Sequence, residues 1–465
     1  MKARRQHANL LDQNRPPWAV IITLAWPTIA EQLLQVMVTF VDSAMVGSLG
    51  ASATASVSVP TSTIWLVNGW MNAFAIGYGV LMARSLGGGQ HERARTIVAQ
   101  SLITALPFSL VLTALFLQVA RILPPWIASD AAVIAQAQDY YHWIAIGYLP
   151  NTLMILISSH LRLSGDTKTP LFLNAMNNIL NIIFNTLFIF EGLTVGGITL
   201  PGLGLGVKGA AMATTLACTI TALSLLFIIF KGSGLISLSG YRSSGWEGSL
   251  HRAALRLAVP VALERTTLSL GQILYTKLIG TLGTTALAAH FLATTAESIT
   301  YLPSSGLSTA ATTLVAHSLG SGDKALAQRF GDTSLILGTL FMSAMGLVLY
   351  FFAHPLLGLF TADEAVITLG AKVLRIEAFA QPAFGLSMLT FGIFRGAGDT
   401  KSPFFISIAG MWLVRLPLAW ALLSYTTWGL WGVWLAMASD ITLRGIICLF
   451  AYRHSGWLER YTEQH

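Results

Sequence analysis

Long apolar segments alternate with short polar stretches along the whole chain. Each apolar segment reaches the roughly 20 residues that a helix needs to cross the hydrocarbon core of a bilayer. The pattern predicts twelve transmembrane helices, six in each half of the chain. Their bounds are 18–47, 52–80, 95–119, 132–158, 170–191, 206–230, 253–280, 285–313, 328–352, 365–392, 403–424 and 429–451. We therefore expect an all-α integral membrane fold.

The second half of the chain repeats the first at an offset of 233 positions. The matching positions include Pro27/Pro260, Glu31/Glu264 and the Gly-Asp-Thr-Lys motifs at 165–168 and 398–401. Because each repeat holds an even number of helices, both repeats enter the membrane in the same sense. The repeat predicts two parallel six-helix bundles.

The predicted bundles divide the chain into five parts. These are a cytoplasmic tail at 1–17, an N-lobe at 18–230, a cytoplasmic linker at 231–252, a C-lobe at 253–451 and a second cytoplasmic tail at 452–465. Because the linker is rich in Gly and Ser, we expect it to be flexible and to let the two lobes rock.

Composition supports a membrane protein and excludes several other classes. Of the 465 residues, 54% are hydrophobic and only 10% are charged, against about a quarter in soluble proteins. The net charge of +7 does not indicate nucleic-acid binding, since the basic residues lie between apolar segments. Their concentration in alternate loops places both termini in the cytoplasm. Cys218 and Cys448 lie inside apolar segments and suggest no disulfide or metal framework.

The first segment carries a polar face. At 100° per residue, Glu31, Gln35, Thr39 and Asp42 lie on the same side of a helix. A carboxylate near mid-membrane costs roughly 2.5–3.5 kcal/mol on insertion scales, so this face should line an interior. Asp42 could bind and release a proton, or hold a sodium ion if amide and carbonyl oxygens supply further ligands.

An asparagine stripe follows on the fifth segment. Asn174, Asn178, Asn181 and Asn185 fall within about 60° of one another around a helix. Because an amide is costly in lipid unless it is paired, the stripe should face the interior near Asp42. It would serve either ion and substrate binding or contacts between helices.

Other intramembrane acids have two interpretations each. Glu31 and Glu264 suit contact with a cation, and equally suit a structural contact beside the two repeated prolines. Glu297 would attract a cationic substrate or form a buried pair with Lys277 or His290. Because the repeat mate of Asp42 is Tyr275, ion binding should be concentrated in the N-lobe.

Three further charged positions are expected to be structural. Glu377 should pair with Arg375 near the outer end of its helix, and Asp440 should pair with Arg444 four residues later. Arg415, close to Pro417, should also be structural.

The motifs resemble those of the multidrug and toxic compound extrusion (MATE) transporters. The resemblance rests on Val41-Asp42-Ser43-Ala44-Met45-Val46-Gly47, on Leu-Gly-x-Gly after the second and eighth helices and on Arg-x-x-Gly-Asp-Thr-Lys-x-Pro after the fourth and tenth. Arg415-Leu416-Pro417 in the eleventh helix completes the set. The resemblance implies a V-shaped, two-lobed exporter of cationic or amphipathic compounds, driven by proton or sodium entry.

The resemblance also implies roles for single residues. Asp42 matches the acid of the first helix that is associated with ion coupling. Asn181 and Asn185 match an Asn-x-x-x-Asp pair of one branch, with Asn in place of the second acid. Another branch carries a Glu where this chain has Leu268.

Together these observations predict a multidrug antiporter that works as a monomer, among lipids, in a bacterial inner membrane. The expected cation-coupling residues are Asp42, Asn181, Asn185 and Glu31, with Asp42 as a possible sodium ligand. The expected substrate-binding residues are Gln35, Thr39, Asn178, Glu264, Tyr275 and Glu297. We expect no cofactor apart from the coupling proton or sodium ion.

Two other functions remain open. A flippase for a lipid-linked precursor would need a strongly basic cleft, whereas the intramembrane charges here are mostly acidic. A membrane enzyme would need a catalytic His or paired acids at one membrane face, and the histidines are scattered singly. No catalytic residue is therefore expected.

Overall fold

The computed structural model describes residues 15–127, 130–195, 198–232, 234–241 and 245–459. These residues are helical along nearly their whole length. The elements are α1 Pro17–Gly47, α2 Ala51–Gly87, α3 His91–Ile127, α4 Ala131–Ile146, α5 Tyr148–Leu163, α6 Lys168–Ile189, β1 Gly192–Val195, β2 Ile198–Pro201, α7 Gly206–Lys231, α8 Gly248–Gly280, α9 Thr284–Gly320, α10 Lys324–Gly358, α11 Glu364–Gly396, α12 Lys401–Ile408, a π-helical segment Ala409–Arg415, α13 Leu416–Tyr425 and α14 Leu430–His454.

Every predicted apolar segment is helical, so the predicted fold class is confirmed. Two segments are more complex than the sequence pattern indicates. The segment at 132–158 consists of α4 and α5, which meet at Gly147 with a bend of 48°. The segment at 403–424 is interrupted by the π-helical turn, which shifts the residues that follow it around the helix. A short antiparallel hairpin, β1 with β2, lies in the connection between α6 and α7.

Length and hydropathy support a multi-pass membrane protein. Among the described residues, eight helices are long and apolar enough to cross a membrane, and the bent pair of α4 and α5 would make nine. The helices α8, α9 and α11 have 33, 37 and 33 residues but contain more polar positions. They are long enough to span, and the count of twelve stays a prediction.

The described chain forms two compact units. The first contains Ala30–Leu86 and Gln90–Leu255, and the second contains residues 15–29, Gly87–Gly89 and the chain from Arg256 onwards. This division follows the predicted halves closely, but it cuts through α1 and α8 rather than between helices. The first turns of α1 therefore belong to the second unit, and the first turns of α8 belong to the first unit.

The beginning of α1 is part of the core of the second unit. Ile21 and Leu24 are buried in one cluster with Leu307 and Leu314 of α9. Gly306 of α9 also leaves no room for a side chain, because a Cβ atom there would meet Ile29. Apolar burial thus fixes the first half of α1 within this unit.

The core of the first unit is built around aromatic rings that pack at steep angles to one another. Phe116 of α3 packs against Tyr141 at 4.7 Å and Tyr148 at 4.8 Å between ring centroids. The hydroxyl of Tyr141 lies 2.8 Å from that of Thr63 on α2. These contacts tie α2, α3, α4 and α5 into one bundle.

In the second unit, α9 and α11 approach through small residues. A Cβ atom on Gly392 of α11 would collide with the backbone of Ser308 on α9. The hydroxyl of Ser308 donates to the carbonyl oxygen of Met388 at 2.8 Å, and that of Thr312 donates to the carbonyl oxygen of Gly392 at 2.8 Å. Close backbone approach of this kind is typical of helix packing in membranes, where no water drives association.

We predict that Gly392→Ala lowers the stability of the folded protein by about 1–3 kcal/mol, because the added methyl group must push two backbones apart. Gly358→Ala is the matched control, since no atom lies within 4 Å of a Cβ atom at that position. The measurement is the melting temperature of both variants in detergent. Equal melting temperatures for the two would contradict the close approach.

Candidate functional site

The candidate site lies in the first unit, where Asp42 of α1 faces two buried asparagines of α6. The side-chain nitrogen of Asn185 donates to Asp42 Oδ1 at 2.6 Å. Asn181 and Asn185 are 4% and 1% exposed, whereas Asp42 is partly exposed. The structure therefore brings together three of the residues that the sequence predicted for cation coupling.

The Asn181 amide can face Asp42 in two orientations. With its nitrogen toward the carboxylate, it donates to Oδ1 at 2.8 Å, and its oxygen accepts from the hydroxyl of Thr214 at 3.1 Å. With its oxygen turned the other way, it accepts from Asn185 Nδ2 at 3.1 Å while its nitrogen donates to Thr214. The first orientation suits an ionised carboxylate, which can only accept hydrogen bonds.

One acceptor in this site is unused. Among the described residues, the buried oxygen Oδ1 of Asn185 has no hydrogen-bond partner. An unpaired amide oxygen in an apolar interior costs roughly 1–3 kcal/mol unless a donor or a cation satisfies it. Together with the carboxylate, it offers the oxygen ligands that a proton or a sodium ion requires.

Two residues near this site were not predicted from the sequence. Thr214 of α7 contacts the Asn181 amide, and Tyr140 of α4 packs beside the end of α1 that carries Asp42. Tyr140 also packs on the apolar cluster around Val46 and Ile189. Neither residue stands out in the sequence, because threonine and tyrosine are common in membrane helices and only the packing of α4 and α7 brings them to Asp42.

The repeated acids Glu31 and Glu264 are held in equivalent ion pairs. Glu31 accepts from Arg162 Nη1 at 2.8 Å and from the amide of Asn174 at 2.8 Å. In the second unit, Glu264 accepts from Arg395 Nη2 at 3.0 Å and from the hydroxyl of Ser407 at 3.0 Å. All three members of each group are related by the same offset of 233 positions. The duplication has preserved a complete network.

These pairs favour the structural interpretation of the two glutamates. Each carboxylate is already neutralised by an arginine, so a cation-coupling role for Glu31 and a substrate role for Glu264 lose their main support. The partner of Glu264 is Arg395, not the adjacent Arg265.

Tyr275, the repeat mate of Asp42, lies in the core of the second unit. It is fully buried, and its hydroxyl donates to the carbonyl oxygen of Val433 at 2.8 Å. The guanidinium group of Arg415 lies 5.6 Å from the centre of its ring. The structure thus places Tyr275 inside the core of the second unit, and the substrate role expected for it stays a prediction.

A second group of buried charges surrounds Tyr275. Asp440 accepts from Arg415 Nε at 2.8 Å and from Arg444 Nε at 2.8 Å, which confirms the predicted pair with Arg444. Glu297 is also buried, and among the described residues it forms an ion pair with neither Lys277 nor His290.

The predicted pair of Glu377 with Arg375 is wrong. Glu377 is completely buried, and neither of its carboxylate oxygens has a hydrogen-bond partner among the described residues. The Nε atom of Arg375 instead donates to the carbonyl oxygen of Tyr350 at 3.3 Å. Residues two positions apart in sequence project from different sides of a helix, so Arg375 and Glu377 do not face each other.

The remaining candidate residues stay predictions. Gln35 and Thr39 are exposed on α1 between the ion pair and Asp42, and the hydroxyl of Thr39 donates to the carbonyl oxygen of Gln35 at 2.9 Å. Asn178 is half-buried on α6. These positions are accessible to a solute, unlike the buried acids.

A family model described as MatE matches residues 27–187 and 260–421, which is most of the chain and covers both repeats. The chain belongs to the MATE family. This MATE protein therefore has the transporter fold that its motifs suggested.

Similar proteins with known names agree with this assignment. A "Probable multidrug resistance protein NorM" of Thermotoga maritima is 29% identical over 95% of this chain and 93% of its own length. "Multidrug resistance protein MdtK" of Yersinia pseudotuberculosis is 25% identical over 95% of both chains. "Uncharacterized transporter YisQ" of Bacillus subtilis is 24% identical over 95% of both.

Solved structures show the same fold. The outward-facing conformation of a multidrug resistance MATE family transporter of the MOP superfamily matches with a TM-score of 0.90 at 20% identity, over 98% of both chains. A MOP superfamily transporter from Pyrococcus furiosus matches with a TM-score of 0.89 at 20% identity, again over 98% of both. These likenesses establish the two-lobed MATE architecture for this chain.

We predict that Arg395→Ala destabilises this MATE protein by about 3–5 kcal/mol, because it leaves Glu264 buried without its partner. The double change Glu264→Gln with Arg395→Gln should recover much of that loss. Glu92→Gln is the control, since Glu92 forms an exposed pair with Arg95 that contributes at most about 1 kcal/mol. Thermal unfolding in detergent measures all three. An effect of Arg395→Ala no larger than the control would contradict the buried pair.

Proposed function

We propose that this MATE protein is a secondary active exporter of cationic or amphipathic small molecules, coupled to proton or sodium entry through Asp42. The names of its relatives, multidrug resistance proteins among them, support the substrate class. The two-lobed fold supports alternating access as the mechanism. We place the protein in the bacterial inner membrane with both termini in the cytoplasm.

One observation carries the proposal: Asp42 is an acid in a membrane helix without a basic partner. Within the described chain no Lys, Arg or His forms an ion pair with it. By contrast, Glu31, Glu264 and Asp440 each hold an arginine. An acid that is paired permanently cannot exchange a cation, whereas Asp42 faces two amides that can serve either of its charge states.

The two asparagines provide a mechanism for that exchange. When Asp42 is ionised, amide nitrogens facing it donate to the carboxylate. When a proton or sodium ion arrives, rotation of the amides presents their oxygens to the acid O–H group or to the ion. The site is therefore satisfied in both states, and the difference between them can bias the lobes toward one orientation.

A single coupling site is sufficient energetically. One charge entering across about 100 mV supplies about 2.3 kcal/mol. For a neutral amphipathic substrate that energy sustains a gradient of roughly fifty-fold. For a monovalent cationic substrate the one-for-one exchange moves no net charge, so the concentration gradient of the coupling ion drives export. A second acid is not required, which agrees with the asparagine at position 185.

The substrate would contact the accessible polar residues near Asp42. Gln35 and Thr39 are exposed on the same helix, and Asn178 lies on the neighbouring asparagine stripe. Glu297 is buried, so its contribution would be electrostatic attraction of a cation rather than direct contact.

The flippase alternative has less support. It needs free basic groups to hold phosphates, but Arg162, Arg395, Arg415 and Arg444 are all engaged with acids.

We predict that Asp42→Asn lowers ion-driven substrate export in proteoliposomes to the background rate of protein-free vesicles, because the exchangeable carboxylate is lost. Asp139→Asn is the matched control on the exposed surface of α4 and should transport normally. Efflux of a fluorescent cation provides the measurement. Unchanged transport by Asp42→Asn would refute Asp42 as the coupling acid.

The coupling ion requires a second experiment with the same vesicles. A pH gradient and a sodium gradient are imposed separately, each with the membrane potential clamped. Proton coupling predicts efflux with the first alone, and sodium coupling predicts efflux with the second alone. Efflux that responds to neither gradient would contradict secondary active transport.

A further inference from the structure

The connection between α7 and α8 is held against the first unit. Ile236, Ser237 and Leu238 are buried, and the backbone nitrogen of Leu238 donates to the carbonyl oxygen of Ile229 at 2.7 Å. The composition of this stretch predicted a flexible linker. The described part instead folds back on the end of α7.

Gln100 of α3 clamps the main chain of this connection. Its side-chain nitrogen donates to the carbonyl oxygen of Gly245 at 2.9 Å, and its side-chain oxygen accepts from the backbone nitrogen of Glu247 at 3.2 Å. Gln100 is only 3% exposed, so these bonds compete little with water. The Gln100 amide thus pairs with one acceptor and one donor of the main chain in this connection.

Further side chains support this clamp. The Glu247 carboxylate forms an ion pair with Arg93 of α3. The hydroxyl of Tyr241 donates to that of Thr96 at 3.0 Å. The connection is therefore fixed to α3 at three successive turns of that helix.

The first turn of α8 is anchored to the same unit. His251 is buried, and its Nδ1 atom lies 2.7 Å from the Tyr78 hydroxyl of α2 and 3.3 Å from the Thr104 hydroxyl of α3. The ring of Trp246 stacks on the imidazole at 3.8 Å between centroids. A buried imidazole with two hydroxyl neighbours and a stacked ring positions the start of α8 closely.

The chain leaves the first unit a few residues later, at a weak point of α8. The division falls between Leu255 and Arg256. Pro260 has no N–H group, so the carbonyl oxygen of Arg256 receives no hydrogen bond from four residues ahead. Bending of a helix concentrates where such a bond is missing.

We propose that residues 234–241 and 245–255 form a fixed strap of the first unit, and that α8 bends at Arg256–Pro260 when the lobes alternate. The flexible linker expected from composition is then not the moving joint. Gln100 and His251 are positioning residues, because they act by holding the start of α8. This inference rests on the proposed transport function only for its alternation step.

The strap is tested by a distance measurement that does not depend on transport. Spin labels are placed at Arg252→Cys on α8 and Lys168→Cys on α6, both exposed and both in the first unit, after Cys218 and Cys448 are replaced by Ala. Double electron–electron resonance in proteoliposomes then reports the separation. We expect one narrow distribution whose centre is the same at acidic and alkaline pH and with or without sodium.

Breaking the clamp should release the strap. Gln100→Ala removes both bonds to the main chain, and the expected result is loss of the single narrow peak. Gln90→Ala, a change of the same type at an exposed position, should keep it. Tyr241→Phe removes one peripheral hydroxyl bond and provides a milder variant if Gln100→Ala fails to fold; it should broaden the peak measurably.

Two results would overturn the inference. A broad or multiple distribution in the otherwise unaltered protein would show that the strap is not fixed. A narrow distribution retained in both Gln100→Ala and Tyr241→Phe would show that these contacts do not hold it. Fluorescent-cation efflux by the same labelled protein is a separate reading, so a protein that does not transport but keeps the narrow peak would count against the proposed function and for the strap.

Discussion

The cost of placing charge in an apolar interior organises this protein. A buried carboxylate needs a cation, a proton or several donors, and the described acids divide according to which of these they have. Glu31, Glu264 and Asp440 hold arginines and contribute to stability. Asp42 holds amides, which under the proposed function leave the acid free to take up and release a cation. Glu377 also lacks a partner among the described residues, but it is completely buried, whereas Asp42 is partly exposed.

The two repeats share one helical scaffold but carry different residues at the position of the candidate site. The network of glutamate, arginine and a polar partner is the same in both units, and it fixes the first helix of each repeat in register with the fifth. Further along the same two helices, Tyr275 and Leu418 occupy the positions equivalent to Asp42 and Asn185. Both belong to one apolar cluster. In the second unit the acid is Asp440, and two arginines hold it. The same scaffold therefore holds one acid with amides in the first unit and one acid with arginines in the second.

Periodicity and internal repetition were enough to predict the helices, the duplication and the meeting of Asp42 with Asn181 and Asn185. Those features depend on spacing within one helix or on comparison of the two halves. The partners of Glu31 and Glu264 depend on how distant helices pack, and the sequence gives no measure of that. Glu377 was misassigned because a nearby arginine in sequence was taken for a neighbour in space. Tyr140 and Thr214 were missed because ordinary residues acquire a role only through position.

The connection between α7 and α8 shows the limit of composition most clearly. A stretch rich in Gly and Ser is flexible when it is unconstrained. It becomes ordered when neighbouring side chains form hydrogen bonds with it. Gln100, Arg93 and Tyr78 come from helices far away in sequence and bind the backbone and the first turn of α8. Because the connection is held against the first unit, we expect bending at the next place along the chain where the backbone lacks a hydrogen bond. In α8 that place precedes Pro260, whose equivalent in the other repeat, Pro27, lies just before the division of α1 at Ile29. In each repeat the chain therefore passes from one unit to the other next to a proline. Because proline has no N–H group, the helix can bend there without losing a hydrogen bond.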